Sequence, residues 1–309
     1  MGFRRTRWFF PPALLLFLLL WPLFSVIAAD SFPLEIRDDR GVAVRLSAPP
    51  RRVVSLAPSL TEIVFLLGKE SALTGVTRFC NYPRAASSLQ KVGGMADSDV
   101  ERIVALSPDI VLCTTDGNSR ERVLALERMG IPCFAVAPQN IRAVFETIER
   151  LGTLLGDAGR GRAEAAKLAR RVEAVRSAVD RNGKAAPRAL FVVSTSPIIA
   201  AGSGTFMDEL LELAGARNAA GAFRSRYPRF SIEELIAAAP DVIFVAAMKG
   251  VERFSPEVMG WKEIPAFRDG FVFLVDGDLV TRPGPRLVTA LEKVSAVLTE
   301  LSGRRGGNQ

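Results

Sequence analysis

The chain contains no histidine, so it lacks the side chain that most often carries acid–base catalysis and binds transition metals. The Ser-His-Asp and Cys-His arrangements of hydrolases are excluded, because both need an imidazole. A zinc or manganese centre is disfavoured for the same reason. Asp116 and Asp278 could still act as general bases in loops, but no nucleophile accompanies either of them. These residue types favour a protein that binds its ligand without transforming it.

Two tyrosines and three cysteines remain as reactive groups or metal donors. Tyr82 and Tyr227 each precede a proline, which favours loop positions for both. Cys80, Cys113 and Cys133 are odd in number, so one thiol stays free in an oxidising compartment even if two of them pair. The sequence does not decide which two would pair, and the alternative is that they are small buried apolar residues.

The first 29 residues have the pattern of a secretory signal peptide. Arg4, Arg5 and Arg7 form a basic start, residues 8–24 are an apolar run, and Val26-Ile27-Ala28 or Ile27-Ala28-Ala29 would suit a signal peptidase. Prolines interrupt the apolar run, which argues against the alternative of a retained membrane anchor. No cysteine follows the run, so a lipoprotein is not expected, and both Sec and Tat export stay open. We therefore expect a mature protein in the periplasm.

The chain has a globular composition, with 49% apolar and 24% charged residues over 309 positions. This length is sufficient for two domains with separate cores. The net charge of +7 includes the three arginines of the signal segment, and the rest is too small to predict a nucleic-acid partner.

Strands and helices alternate on both sides of a long charged segment, residues 157–183. One apolar stripe at helical spacing runs along this segment, formed by Leu168, Val172, Val175 and Val179. A continuous helix over residues 160–181 would be roughly 33 Å long. We predict an α/β fold of two Rossmann-like lobes, residues 30–156 and 184–303, whose mostly parallel sheets are joined by this single backbone helix. Residues 304–309 are predicted to be a disordered tail.

Two stretches of the chain repeat each other. Residues 99–113, DVERIVALSPDIVLC, align without gaps with residues 231–245, SIEELIAAAPDVIFV. The alignment pairs Glu101 with Glu233, Pro108 with Pro240, and Asp109 with Asp241. The matched order, spacing and register indicate that the two lobes are similar units.

Parallel sheets bind ligands outside the carboxyl ends of their strands. Two lobes on one strut would turn these ends toward each other across a cleft. The loops expected there are residues 57–59, 79–82, 114–118, 194–205, 226–228 and 276–282. Next to the first loop, Ser59 and Glu62 have the spacing of a capping box, which predicts the start of a helix.

Several motifs together resemble one family. They are FPLEIRDDRGVAVRLSAPPRRVVSLAPSLTEIVFLLG at 32–68, FCNYP at 79–83, KVGG at 91–94, GIP at 130–132, RPGPR at 282–286 and the two repeated stretches. In these motifs the chain is similar to the substrate-binding proteins of ABC importers for cobalamin, haem and ferric siderophores, and most similar to the cobalamin receptors. The resemblance implies a monomeric periplasmic receptor that delivers a corrinoid to a membrane permease driven by a cytoplasmic ATPase. It implies no catalytic residue, cofactor or bound metal.

The resemblance also implies a set of ligand contacts. They are Ala57, Pro58, Ser59, Phe79, Cys80, Tyr82, Met95, Thr114, Ser194, Tyr227, Asp278 and Arg282. Phe79 and Tyr227 match aromatic positions of the corrinoid cleft. Three residues stand near positions where the cobalamin receptors have aromatics, namely Met95, Thr114 and Ser194, and this departure leaves the exact ligand open.

The polar positions carry further expectations. Asp278 and Arg282 match polar cleft residues of the family, with a salt-bridged loop residue as the alternative for Arg282. Cys80 is a candidate soft donor to a metal centre, with a disulfide or an inert thiol as its alternative. The resemblance assigns Glu101 and Glu233 to permease docking, because one exposed carboxylate on each lobe gives a two-point electrostatic register.

Two alternative functions stay open. A haem or ferric-siderophore receptor would need Tyr82 or Tyr227 on the iron, since no histidine is present. A chelatase-like enzyme would use a similar two-lobed architecture, and Asp116 or Asp278 would have to act as its base.

Overall fold

The computed structural model describes residues 32–179, 186–247 and 261–307. Its N-terminal half consists of β1 (Leu34–Arg37), β2 (Ala43–Leu46), β3 (Val53–Ser55), α1 (Pro58–Leu66), β4 (Leu73–Val76), α2 (Val100–Ala105), β5 (Ile110–Thr114), α3 (Arg120–Arg128), β6 (Cys133–Val136) and α4 (Ile141–Leu154). The connecting helix is α5 (Ala158–Val179). The C-terminal half consists of β7 (Arg188–Thr195), β8 (Ile198–Ala200), α6 (Phe206–Leu213), β9 (Arg217–Asn218), α7 (Ile232–Ala238), β10 (Val242–Ala247), α8 (Pro265–Arg268), β11 (Val272–Asp276), α9 (Gly277–Thr281) and α10 (Leu287–Gly307).

The N-terminal sheet is parallel, in the order β4-β3-β5-β6. The antiparallel hairpin β1–β2 lies beside it, and its turn protects the free edge of β6. Asp39 donates its N–H to the carbonyl of Ala135 at 3.0 Å, and the carboxylate of Asp38 accepts from the N–H of Ala135 at 3.2 Å. These bonds satisfy backbone groups that an uncovered edge strand would offer to another chain.

The C-terminal sheet repeats this order as β9-β7-β10-β11, again parallel. The short strand β8 is an addition, because it pairs antiparallel with the end of β7. The predicted α/β fold of two Rossmann-like lobes is therefore confirmed.

The backbone shows the same duplication in detail. The carboxylates of Asp109 and Asp241 each accept a backbone N–H at the start of the first strand of their own sheet, at 2.9 and 2.7 Å. Ser107 and Ala239 lie at equivalent positions after α2 and α7, and both have left-handed φ values, 42° and 40°. Few non-glycine residues adopt this conformation. Its recurrence shows that the chain passes from α2 to β5 and from α7 to β10 through the same backbone turn.

The connecting helix α5 has 22 residues and contacts both lobes. Arg160 donates to the carbonyl of Leu66 in α1 at 3.2 Å, while Arg171 forms a bidentate ion pair with Glu292 in α10. The predicted segment ended at residue 183, and residues 180–183 lie outside the described ranges. The helix is therefore packed along both lobes rather than exposed between them.

Three local predictions need correction. Helix α1 starts with Pro58 at its first position, and no side chain caps it, so Ser59 and Glu62 do not form a capping box. Residues 277–281 form helix α9 instead of a loop. Helix α10 continues to Gly307, so the tail predicted to be disordered from residue 304 is helical through 307. Proline suits the first turn of a helix because it has no N–H to satisfy, and this explains the earlier start of α1.

The predicted signal peptide lies outside the described residues. Among the helices that are described, none is long and apolar enough to cross a membrane.

All three cysteines are buried and free, so none of the possible pairings occurs. Cys113 lies opposite Ala135, and Cys133 lies opposite Val111, so the two thiols do not face each other across β5 and β6. Burial raises the pKa of Cys113 to about 12 and raises the pKa of Cys133 as well. Since the thiolate is the nucleophile, both thiols are expected to be inert at neutral pH.

We expect native protein to leave all three thiols unlabelled by a disulfide reagent such as DTNB, because all three are buried. After unfolding in guanidinium, all three should react. The measurement is the absorbance of the released thiolate. A single reactive thiol in the unfolded protein would show a disulfide and contradict the structure.

Candidate functional site

The carboxyl edges of the two sheets meet across a cleft. Asn81, in the loop after β4, donates to the carboxylate of Asp278, just after β11, at 3.0 Å. A second contact joins the lobes where the N–H of Ile141 donates to Glu209 at 2.8 Å. Loops that follow strands of both sheets are therefore in direct contact, as the sequence predicted.

Arg282 holds the loop of residues 79–82 against the C-terminal lobe. Its guanidinium pairs with Asp278 at 2.6 Å, and it donates to the side-chain oxygen of Asn81 at 2.8 Å and to the carbonyl of Phe79 at 3.2 Å. Its side chain is 13% exposed. These contacts support the salt-bridged alternative for Arg282 and place Asp278 in the same network.

Glu62, predicted as a capping residue, is the centre of the contact between the lobes. Its side chain is 2% exposed, and its two oxygens accept from Arg286 at 2.7 and 3.0 Å. Arg282 lies 3.4 Å from the same carboxylate. Burial acts to lower the pKa of Arg286, but hydrogen bonding and charge attraction from Glu62 outweigh it, so this pKa is raised. We call Glu62, Arg282 and Arg286 the interlobe clamp.

Tyr82 stacks on the interlobe clamp. The guanidinium carbon of Arg286 lies 4.2 Å from the centre of the Tyr82 ring, which is a cation–π contact. The same ring lines a groove of about 360 Å³ together with Leu168 and Arg171 of α5. Tyr82 therefore has a structural partner and lies toward the connecting helix, a position that the sequence did not indicate.

The cleft loops carry exposed aromatic rings. Phe79, Tyr82 and Tyr227 are 46%, 48% and 48% exposed. The guanidinium carbon of Arg78 lies 4.9 Å from the centre of the Phe79 ring. The rings of Phe79 and Tyr227 are large enough to cover a flat ligand, whereas the Tyr82 ring is already stacked on Arg286.

Tyr227 is supported by a close approach of two chain segments. Gly202 donates its N–H to the carbonyl of Arg226 at 2.8 Å, and a Cβ at Gly202 would meet the carbonyl oxygen of Ser225 at 2.5 Å. Only glycine fits at this position, so the loop of Tyr227 lies directly on the end of β8. Ser194, predicted for the same side of the cleft, is half-buried in β7 and pairs with Ile199 of β8.

Five predicted contact residues lie below the surface. They are Ala57, Pro58, Ser59, Cys80 and Thr114. The sulfur of Cys80 lies 3.1 Å from the hydroxyl of Thr61 and 3.2 Å from that of Thr77. Cys80 is 2% exposed and therefore packs beneath the loop instead of offering a donor to the cleft. Within the described ranges no three His, Cys, Asp or Glu side chains form a cluster suited to a metal ion.

Asn118 organises the N-terminal side of the cleft, and sequence analysis missed its role. It is 9% exposed, donates to the carbonyls of Leu56 and Met95 at 2.9 Å, and accepts from the N–H of Thr114 at 2.7 Å. It thereby ties together three loops, because one amide group can donate twice and accept at the same time. Met95 is half-buried at this junction. From the sequence alone, an asparagine at this position predicts only a turn, because its buried contacts come from residues distant in the chain.

Glu101 and Glu233 lie on the first turns of α2 and α7, and both are exposed. Among the described residues neither carboxylate has an ion-pair partner, since the salt bridges found there involve other acids. Their geometry leaves both available to a partner.

The chain matches the family model described as periplasmic binding protein over residues 53–279. It is 29% identical over 261 residues to the vitamin B12-binding protein of Vibrio vulnificus (strain CMCP6), which covers 84% of this chain and 94% of that protein. It is 32% identical over 278 residues to an ABC transporter substrate-binding lipoprotein of Bacillus subtilis (strain 168), which covers 86% of this chain and 85% of that protein.

The fold is also found in solved structures. A periplasmic haem-binding protein from Roseiflexus sp. RS-1 superposes with a TM-score of 0.74 at 27% identity, and the match covers 82% of this chain and 99% of that one. Fold, cleft and sequence agree, and the chain belongs to the periplasmic binding protein family, the substrate-binding proteins of ABC transporters.

Proposed function

We propose that this protein captures a corrinoid between its two lobes in the periplasm and delivers it to the permease of an ABC importer. The observation that carries the proposal is the exposed ring of Phe79 on a loop that the C-terminal lobe holds in place. The similarity to a vitamin B12-binding protein over 84% of the chain supports a corrinoid as the ligand.

Binding of this kind requires no reaction. Affinity comes from enclosing the ligand between apolar and aromatic surfaces, while a few polar groups set its orientation. The permease and its cytoplasmic ATPase then supply the transport step, and the receptor acts as a monomer that residues 1–29 direct for export. The interlobe clamp and the single connecting helix permit only modest closure of the lobes.

A haem receptor is the second candidate function. Two observations favour it, namely the exposed hydroxyl-bearing rings of Tyr82 and Tyr227 and the similarity to a haem-binding structure. The phenolate oxygen of a tyrosine is a suitable ligand for ferric iron in haem. A corrinoid would instead pack against the face of the tyrosine ring and would not need the hydroxyl group. The two ligands therefore place different demands on the same tyrosines.

Spectroscopy of the purified protein separates these two candidates. With cobalamin we expect a complex that stays together on gel filtration, and replacing both tyrosines by phenylalanine (Tyr82→Phe with Tyr227→Phe) should leave its affinity within about threefold, because the rings remain. Phe79→Ala should weaken it about tenfold or more, whereas Met129→Ala, a matched loss of an exposed apolar side chain on α3's end, should not.

A Soret shift with haemin that disappears in the double phenylalanine variant would instead establish the haem receptor. Metal insertion into a tetrapyrrole by the purified protein would contradict both candidates and would indicate a chelatase-like enzyme.

A further inference from the structure

The two helices that carry Glu101 and Glu233 also carry an exposed aliphatic residue at the same place. Val104 lies three residues after Glu101 and is 38% exposed, and Ile236 lies three residues after Glu233 and is 37% exposed. Residues three apart lie on one face of a helix. Each lobe therefore presents a carboxylate and an aliphatic side chain side by side.

One exposed aliphatic residue is ordinary on a protein surface. Here the whole pattern recurs, because the burial of residues 100–106 matches that of residues 232–238 position by position. In both helices a single side chain, Ile103 or Leu235, is fully buried and anchors the helix to its lobe. The exposed aliphatic residue is thus part of a burial pattern that both lobes repeat.

The orientation of both helices is fixed at each end. Asp99 and Ser231 cap the first turns, with their side chains accepting backbone N–H groups at 3.1 Å. Ser107 and Ala239 form the left-handed corners that follow. The carboxylate and aliphatic groups are thus held in equivalent geometry on the two lobes, although neither helix is long enough to be stable alone.

The charged neighbours of α2 differ from those of α7. Whatever feature the two helices have in common must therefore lie in other residues. Arg102 pairs with Asp99 at 3.0 Å beside Glu101, whereas Glu233 is followed by a second acid, Glu234, which caps the helix. Electrostatic attraction to a partner therefore differs between the lobes. The common element is one free carboxylate next to one aliphatic side chain.

We propose that Val104 and Ile236 form, together with Glu101 and Glu233, a docking surface for the permease, and that each lobe offers a mixed contact in which the carboxylate meets a basic side chain and the aliphatic group enters an apolar depression. This inference rests on the proposed function, because it names further contacts of the same receptor with its permease. The carboxylates set approach and register, while the aliphatic groups supply affinity that salt does not screen.

The test measures binding of the receptor to the permease–ATPase complex of the same organism, held in lipid nanodiscs, by biolayer interferometry. Val104→Ser with Ile236→Ser should weaken binding about tenfold, and by the same factor at about 0.1 M and about 0.5 M NaCl. Glu101→Gln with Glu233→Gln should weaken it more at the lower salt concentration. The matched control, Val42→Ser with Met129→Ser, removes two exposed apolar side chains elsewhere and should bind like the wild type.

The outcomes separate this inference from the function on which it rests. Wild-type binding that the serine pair leaves unchanged overturns the inference alone. A loss in the serine pair that disappears at high salt overturns it as well, because it would be an electrostatic effect. Failure of the wild-type protein to bind overturns the proposed partner and the inference together. Thermal unfolding of each variant, and the milder Val104→Ala with Ile236→Ala, exclude misfolding as the cause of a loss.

Discussion

Replacing Glu62 by alanine should lower the free energy of unfolding by about 3–5 kcal/mol. The carboxylate is 2% exposed and neutralises Arg286 and Arg282, whose side chains are 15% and 13% exposed. Without it, Arg286 loses the acceptor of its two hydrogen bonds and Arg282 loses one of its two acidic neighbours, while both guanidinium groups have little access to water. Urea denaturation followed by circular dichroism measures the difference.

The matched control is Glu292→Ala on α10, which pairs with Arg171 of the connecting helix. Glu292 also forms a bidentate pair with an arginine, Arg171, at 2.7 and 2.8 Å. Here the two side chains are 36% and 39% exposed, so the pair should contribute less than about 1 kcal/mol. Similar losses in the two variants would show that burial of the clamp is not what makes it strong.

Glu62→Ala should also weaken ligand binding, and this effect distinguishes the clamp from an ordinary buried ion pair. Arg282 donates to the carbonyl of Phe79 and keeps Asp278 as an ion-pair partner, so loss of the Glu62 carboxylate should loosen the loop that carries the exposed ring without releasing it. We expect a faster rate of ligand dissociation in Glu62→Ala and an unchanged rate in Glu292→Ala.

The sequence predicted the architecture because the relevant signals are local. The apolar stripe of α5, the turn between β1 and β2, and the repeated stretches at 99–113 and 231–245 each lie within a short segment. The repeat also predicted that the chain follows the same path in both lobes. The left-handed residues Ser107 and Ala239, at equivalent positions of the two stretches, agree with this prediction.

The sequence could not predict the interlobe clamp, because its partners are far apart in the chain. Glu62 and Arg286 are separated by 224 positions, and nothing near Glu62 marks it as buried. Its spacing from Ser59 fits a capping box equally well, and only Pro58 at the start of α1 argued against that interpretation. A purely local reading therefore assigned a capping role to the residue that joins the lobes.

The predicted ligand contacts were also limited by the lack of tertiary information in the sequence. Motif similarity indicated which loops to consider but did not show which of their side chains are exposed. Phe79 and Cys80 are neighbours in one loop, yet one is 46% exposed and the other is 2% exposed. Loops lack the regular alternation of strands, so exposure depends on tertiary packing, here on Thr61 and Thr77 around the sulfur.

Reversing the charges of the two carboxylates proposed to dock on the permease, Glu101→Arg with Glu233→Arg, should reduce delivery of ligand to the permease at least about a thousandfold. Close charge pairs between proteins are coupled by about 1.5–7 kcal/mol each, and reversal replaces attraction with repulsion at two points. Both carboxylates are exposed on short helices that are capped at their first turns, so the fold should tolerate the change. The measurement is ligand uptake into proteoliposomes containing the permease and its ATPase.

The control places the same charge change elsewhere on each lobe. Glu149 on α4 and Glu212 on α6 are exposed, and Glu149→Arg with Glu212→Arg alters the net charge equally. Uptake should then stay within about threefold of the wild-type rate, since the charges lie outside the docking surface. Each single reversal, at Glu101 or at Glu233, should give an intermediate loss because one contact remains. If the control pair and the docking pair lowered uptake equally, long-range attraction to the permease would explain both results, and the two-point register would have to be abandoned.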